Sequence, residues 1–150
     1  MRGYFGIGVY QPKTEMNIGT LWRSAQIFGA SFIFTIGQRY KHQSSDTLKT
    51  PRHIPLFTYK SFEEFYEMLP YNSQLIGIEQ DSRSVDLANF SNPQQAVYLL
   101  GAEDNGLPPK VMGRCKSVVH ISTPMCLNVA VAGSIVLFHR QGVFAKPAEV

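Results

Sequence analysis

The sequence predicts an α/β fold, a mostly parallel sheet flanked by helices. Three observations carry that prediction. Short apolar, β-rich runs alternate with segments of helical period, glycine or proline stands at many of the junctions, and no repeat or low-complexity tract interrupts the order. A chain of 150 residues holds one good core, so the expectation is a single domain over 1–150.

The elements follow in order. Tyr4 to Tyr10 alternates apolar residues with glycine and reads as a strand ended by Pro12. Ile18, Leu21, Trp22, Ala25 and Phe28 fall on one helical face, and Gly29 can stop that helix. Ser31 to Ile36 is a second strand, 37–53 has neither period and reads as a long loop, and Pro55 to Tyr59 is a short strand. Ser61-Phe62-Glu63-Glu64 is a capping-box pattern that opens a helix to about Leu69. Leu75 to Ile78 and Val97 to Leu100 read as buried strands, and Pro108-Pro109 starts a short helix with Pro109 in its first turn. Ser117 to Ile121 is the last strand. Asn128 to about Arg140 is the last helix, apolar nearly all round, which in so short a chain points to a subunit interface.

Composition narrows the function classes. With 44% hydrophobic and 17% charged residues the chain is neither disordered nor fibrous. Its longest apolar stretch, Val129 to Phe138, is too short to span a bilayer, and the N-terminus shows no signal-peptide pattern, so a cytoplasmic protein is expected. Cys115 and Cys126 are too few for a disulfide framework, and Cys115, His120, Cys126 and His139 have no zinc-type spacing, so no metal is expected. A net charge of +3 permits a polyanionic partner without requiring one.

In parallel sheets ligands sit beyond the carboxyl ends of the strands, so the loops there are where chemistry is expected. In the first, Asn17 stands where an N-cap is wanted, and Gly19 either leaves room for a substrate above Arg23 on the same helical face or marks a loose helix start beside a surface arginine. In the second, Gly101 lets backbone approach a ligand, while Glu103 and Asp104 suit a ligand with hydroxyls or positive charge; Asp104-Asn105-Gly106 is also a common turn sequence. In the third, a tight loop from Ile121 turns into the last helix at Asn128, which could be only its N-cap. The loop over 37–53 gathers Arg39, Lys41, His42, Lys49, Arg52 and His53 against a single Asp46, either a solvated surface or a phosphate-gripping flap, with Tyr40 available for stacking on a base.

Taken together and in this order, Asn17-Ile-Gly19-Thr-Leu-Trp-Arg23, Gly101-Ala-Glu103-Asp-Asn-Gly106-Leu107 and the segment Ile121 to Ala132 resemble the three motifs of the SpoU (TrmH) family of SPOUT-class RNA methyltransferases. The resemblance covers the whole chain and implies a C-terminal deep trefoil knot, S-adenosyl-L-methionine as methyl donor, a homodimer, and methylation of a ribose 2′-hydroxyl of RNA, tRNA first and rRNA second. It implies a catalytic group of Arg23, Asn17, Glu103 and Asn128, and a cofactor pocket lined by Ile78, Gly101, Ile121, Cys126 and Leu127. Arg39, Lys41 and Arg52 are the expected RNA contacts. Two departures stand in the third motif: Cys126 replaces the usual serine, and the loop from Ile121 to Asn128 is shorter than usual. They leave a non-catalytic RNA-binding protein of the same fold as the alternative.

Overall fold

The computed structural model describes residues 3–41 and 54–144, with the side chains of 143 and 144 excepted. Seven strands form one sheet: β1 (Tyr4–Tyr10), β2 (Phe32–Ile36), β3 (Leu56–Tyr59), β4 (Gln74–Ile78), β5 (Val85–Asp86), β6 (Gln95–Gly101) and β7 (Ser117–His120). Their order across the sheet is β3-β2-β1-β6-β4-β7-β5, and every pairing is parallel. The helices are α1 (Glu15–Ile27), α2 (Phe62–Glu67), α3 (Pro109–Met112) and α4 (Val129–Phe144).

Central strands are apolar on both faces because both faces are covered. On one face Ile7, Val9, Tyr98 and Leu100 pack with Leu21 of α1 and Val136 and Leu137 of α4. On the other, Phe34, Leu75 and Leu99 pack with Phe62 and Phe65 of α2 and Met112 of α3. Gly6 and Gly8 explain themselves here. A methyl group at Gly6 would lie 2.3 Å from the Phe32 ring, and one at Gly8 2.4–2.5 Å from Phe34, so β1 stays bare where the aromatic layer crosses it.

Elements with a full apolar signature form within two or three residues of the predicted places, except that α4 runs on to Phe144, four residues past its predicted end. The capping box at α2 forms its first half, Glu64 N–H to Ser61 Oγ at 3.1 Å, while Glu64 Oε2 accepts from the backbone of Lys60 one residue earlier. Two expectations need correction. α1 begins at Glu15 behind Thr14, so Asn17 is not an N-cap but lies inside the first turn, where its side chain can face another loop. β5 and the 3₁₀ turn Leu87–Asn89 have no counterpart in the sequence pattern, because a two-residue strand carries no period. The basic loop lies outside the described residues beyond Lys41, Arg52 included.

The order of the strands fixes where a site can be. Chain direction across the sheet reverses between β1, which continues to β2, and β6, reached later from the other side; a crevice opens at the carboxyl end of such a switch point. The segments leaving β1 and β6 carry Asn17 and Glu103.

Candidate active site

Three side chains that are far apart in sequence converge at that switch point. Glu103 Oε1 accepts hydrogen bonds from Asn17 Nδ2 at 3.1 Å, Asn128 Nδ2 at 3.0 Å and the Val129 backbone N–H at 3.3 Å. Asn128 Nδ2 also donates to Asn17 Oδ1 at 3.0 Å. The orientation of Asn128 is dictated by its second role. Its Oδ1 caps α4, accepting from Ala130 and Val131 N–H at 2.9 and 3.2 Å, which leaves only its NH₂ to face Glu103. The Glu103 carboxylate thus sits at the positive end of α4 as well as between two amides.

Glu103 is presented by a tight turn. Gly106 N–H donates to Ala102 O at 2.8 Å, and Gly106 adopts φ +63°, a left-handed conformation suited to glycine. Gly101 has a second reason to be bare, besides its place on the cleft wall. A Cβ on Gly101 would meet Gly106 C at 2.4 Å and Leu107 N at 2.6 Å, so its bareness serves closure of the turn itself. Glu79, which the sequence pattern does not single out, secures the same turn from β4: its Oε2 accepts from Leu107 N–H at 2.7 Å. Its only signal is its place directly after a strand.

A cleft of about 710 Å³ opens beside this network, between the loops that follow β4, β6 and β7. The five residues expected to hold a cofactor, Ile78, Gly101, Ile121, Cys126 and Leu127, all line it, as does Glu103. Leu100, Leu107 and Met112 add apolar wall, while Glu79 and Glu103 put carboxylates on it. The size falls in the usual range for ligand clefts, about 300–1,000 Å³. A cleft with an apolar wall and acidic edges in an otherwise polar lining fits a flat heteroaromatic group joined to a cation.

The remaining expected residues fall elsewhere. Arg23 is exposed on α1 and does not line the cleft. Lys41 is exposed. Arg39 is held by Asp104 in a two-pronged ion pair, 2.7 and 2.9 Å, and its guanidinium draws the Asp104 carboxyl down to about 2. The two cysteines differ sharply: Cys126 is exposed in the cleft, whereas burial pushes the Cys115 thiol up to about 11. Among the described residues no group of histidine, cysteine and acidic side chains is arranged to hold a metal. None of the described helices is long and apolar enough to cross a membrane.

The sequence profile of the SpoU rRNA Methylase family matches residues 5–138. Mouse (Mus musculus) tRNA (guanosine(18)-2'-O)-methyltransferase TARBP1 is 24% identical over 135 residues; the match takes in 81% of this chain but only 8% of the mouse protein. Among solved structures, the AdoMet-bound rRNA methyltransferase from Sinorhizobium meliloti superposes with a TM-score of 0.84 at 23% identity, covering 97% of this chain and 59% of that one. A protein described as methylating the 2-OH of C/U34 on tRNA superposes with a TM-score of 0.81 at 23% identity, covering 94% and 96% of the two chains.

Proposed function

The chain belongs to the SpoU rRNA methylase family, and from that membership we propose that it transfers a methyl group from S-adenosyl-L-methionine to a ribose 2′-hydroxyl of RNA. The observation that carries the reading is the meeting of Asn17, Glu103 and Asn128 on one carboxylate oxygen at the mouth of the cleft. S-adenosyl-L-methionine supplies a methyl group already activated on a sulfonium, so the transfer itself calls for no metal. The chain's own residues have two roles, in-line positioning and stabilisation of the oxygen as it loses its proton to solvent. Positioning is worth on the order of 7–11 kcal/mol. The apolar wall around Ile78, Leu100 and Leu127 suits adenine, and Glu79 and Glu103 favour a cation in the cleft. The second role falls to Arg23. A guanidinium stays protonated, so it grips phosphate and stabilises the developing alkoxide rather than acting as base. The threading of the C-terminal segment into a knot belongs to the same reading.

tRNA is the proposed substrate, with rRNA second; the mouse relative and the structural neighbour for C/U34 support the first, and the S. meliloti neighbour the second. A cytoplasmic setting is consistent with two unbridged thiols. We also propose a homodimer. Val131, Ile135 and Phe138 of α4 lie 47%, 36% and 65% exposed and continue onto Thr20 of α1 and Phe28 at its C-cap, a largely apolar face that a closed two-fold pair would cover. Arg23, three residues after Thr20, lies on that side of α1, so assembly and the placement of Arg23 are linked. Light scattering at micromolar concentration should give a dimer mass and Phe138→Asp a monomer mass; a monomeric parent protein ends the dimer reading.

The test of function has two arms. Incubation with methyl-labelled cofactor and bulk tRNA or rRNA should leave label in alkali-resistant dinucleotides, the mark of 2′-O-methylation. Titration with a chromogenic disulfide should show one fast thiol, Cys126, which slows when S-adenosyl-L-methionine is added, while Cys115 stays slow throughout. Label that is absent with every RNA, together with no binding at millimolar cofactor, rejects the reading.

A further inference from the structure

One strong contact at the site has no part in the chemistry described so far. The Arg39 guanidinium meets Asp104 with both prongs, Nη1 to Oδ2 at 2.9 Å and Nη2 to Oδ1 at 2.7 Å. Arg39 Nε donates to Gln11 O at 2.9 Å, and its backbone N–H donates to Pro12 O at 2.9 Å. One residue therefore ties together the exits of β1, β2 and β6. The pair is 31% and 39% exposed, and exposed ion pairs contribute little to stability, whereas a fork-on-carboxylate contact fixes geometry closely. What it fixes is specific. Asp104 is the neighbour of Glu103, and Gln11-Pro12 leads directly into α1, whose third residue is Asn17. Gln11 is held at φ 50°, an unfavourable conformation for a residue with a side chain, by Arg39 on its carbonyl and by its own N–H on Ile36 O at 2.6 Å.

Resting on the methyl-transfer reading, we propose that Arg39 and Asp104 are positioning residues, a clamp that sets the distance between the segments carrying Asn17 and Glu103. On this assignment the first role of Arg39 is positioning and not RNA contact, since three of its five N–H donors are taken by Asp104 and by Gln11 O. With the Asp104 carboxyl held near 2, the clamp is closed throughout the pH range of any ordinary assay.

A double-mutant cycle tests the clamp. Asp104→Asn and Arg39→Gln should each lower kcat by about 10-fold, within the range a displacement of about 1 Å produces, with KM for RNA and the melting temperature nearly unchanged. The double variant should be no worse than either single one, since both break one contact. In ¹⁵N spectra the side-chain amide signals of Asn17 and Asn128 should shift in Asp104→Asn. Those spectra need no turnover, so they report on the clamp even where methyl transfer is not found with any RNA. Additive losses in kcat with unmoved amide signals overturn the proposal. Tighter RNA binding by Asp104→Asn at unchanged kcat also overturns it, and makes Asp104 a mask over an RNA-binding arginine.

Discussion

Arg23→Ala is expected to lower methyl transfer by at least about 10²-fold, in line with losing one preorganised donor to a developing oxyanion. Cofactor affinity should stay nearly unchanged, because Arg23 is absent from the lining of the cleft, which is built by the loops after β4, β6 and β7. The loss should therefore fall on kcat or on KM for RNA and be invisible in a cofactor titration. Arg23→Lys should recover little, since an ammonium cannot reproduce a planar two-pronged contact. Single-turnover rates with the RNA that takes up label from the cofactor, alongside calorimetry for the cofactor, separate the two effects. Near-normal turnover in the alanine variant would make Arg23 an ordinary surface arginine, and full rescue by lysine would remove the two-pronged role even if alanine were inactive.

The scaffold and most of the site are legible in the sequence for different reasons. The strands are legible because each central one is buried on both faces and so is written as a continuous apolar run; Phe32–Ile36 and Leu75–Ile78 could hardly be anything else. The residues of the ordered motifs are legible as a set, and three of them do share one oxygen. What stays hidden depends on closure in space. Arg39 and Asp104 are 65 positions apart, and each looks locally like something else, a phosphate contact and a turn residue. Glu79 reaches a backbone N–H 28 residues away, a contact with no periodic trace. The sequence suggests a ligand as the close neighbour of Gly101, and gives no sign that the residue also packs against its own turn at Gly106 and Leu107. Side-chain type alone cannot tell an N-cap from an inward-facing amide one turn later, and Asn17 is the latter.

Glu103 is where the scaffold and the chemistry meet, and two substitutions there separate its roles. Glu103→Ala strips the common acceptor from Asn17 Nδ2, Asn128 Nδ2 and Val129 N–H and removes a carboxylate from the N-terminus of α4. The site is exposed, so water can take over those donors, and the melting temperature should drop by only a few degrees, corresponding to about 1 kcal/mol for a charge at a helix end. Methyl transfer should fall much further, by about 10²- to 10³-fold, because the amides of Asn17 and Asn128 lose the acceptor they share, and Asn17 is left with only its bond to Asn128. Glu103→Gln keeps an acceptor of the same reach but no charge. If register is what matters, Gln restores most of kcat; if the carboxylate also favours the cationic donor, the Gln variant binds S-adenosyl-L-methionine more weakly than the demethylated product, which carries no sulfonium charge. Comparing the two ligands on the parent, Ala and Gln proteins reads that difference directly. Equal weakening for both ligands would assign Glu103 to register alone, and a Gln variant as inactive as Ala with unchanged ligand affinities would place the missing charge in the transfer step itself.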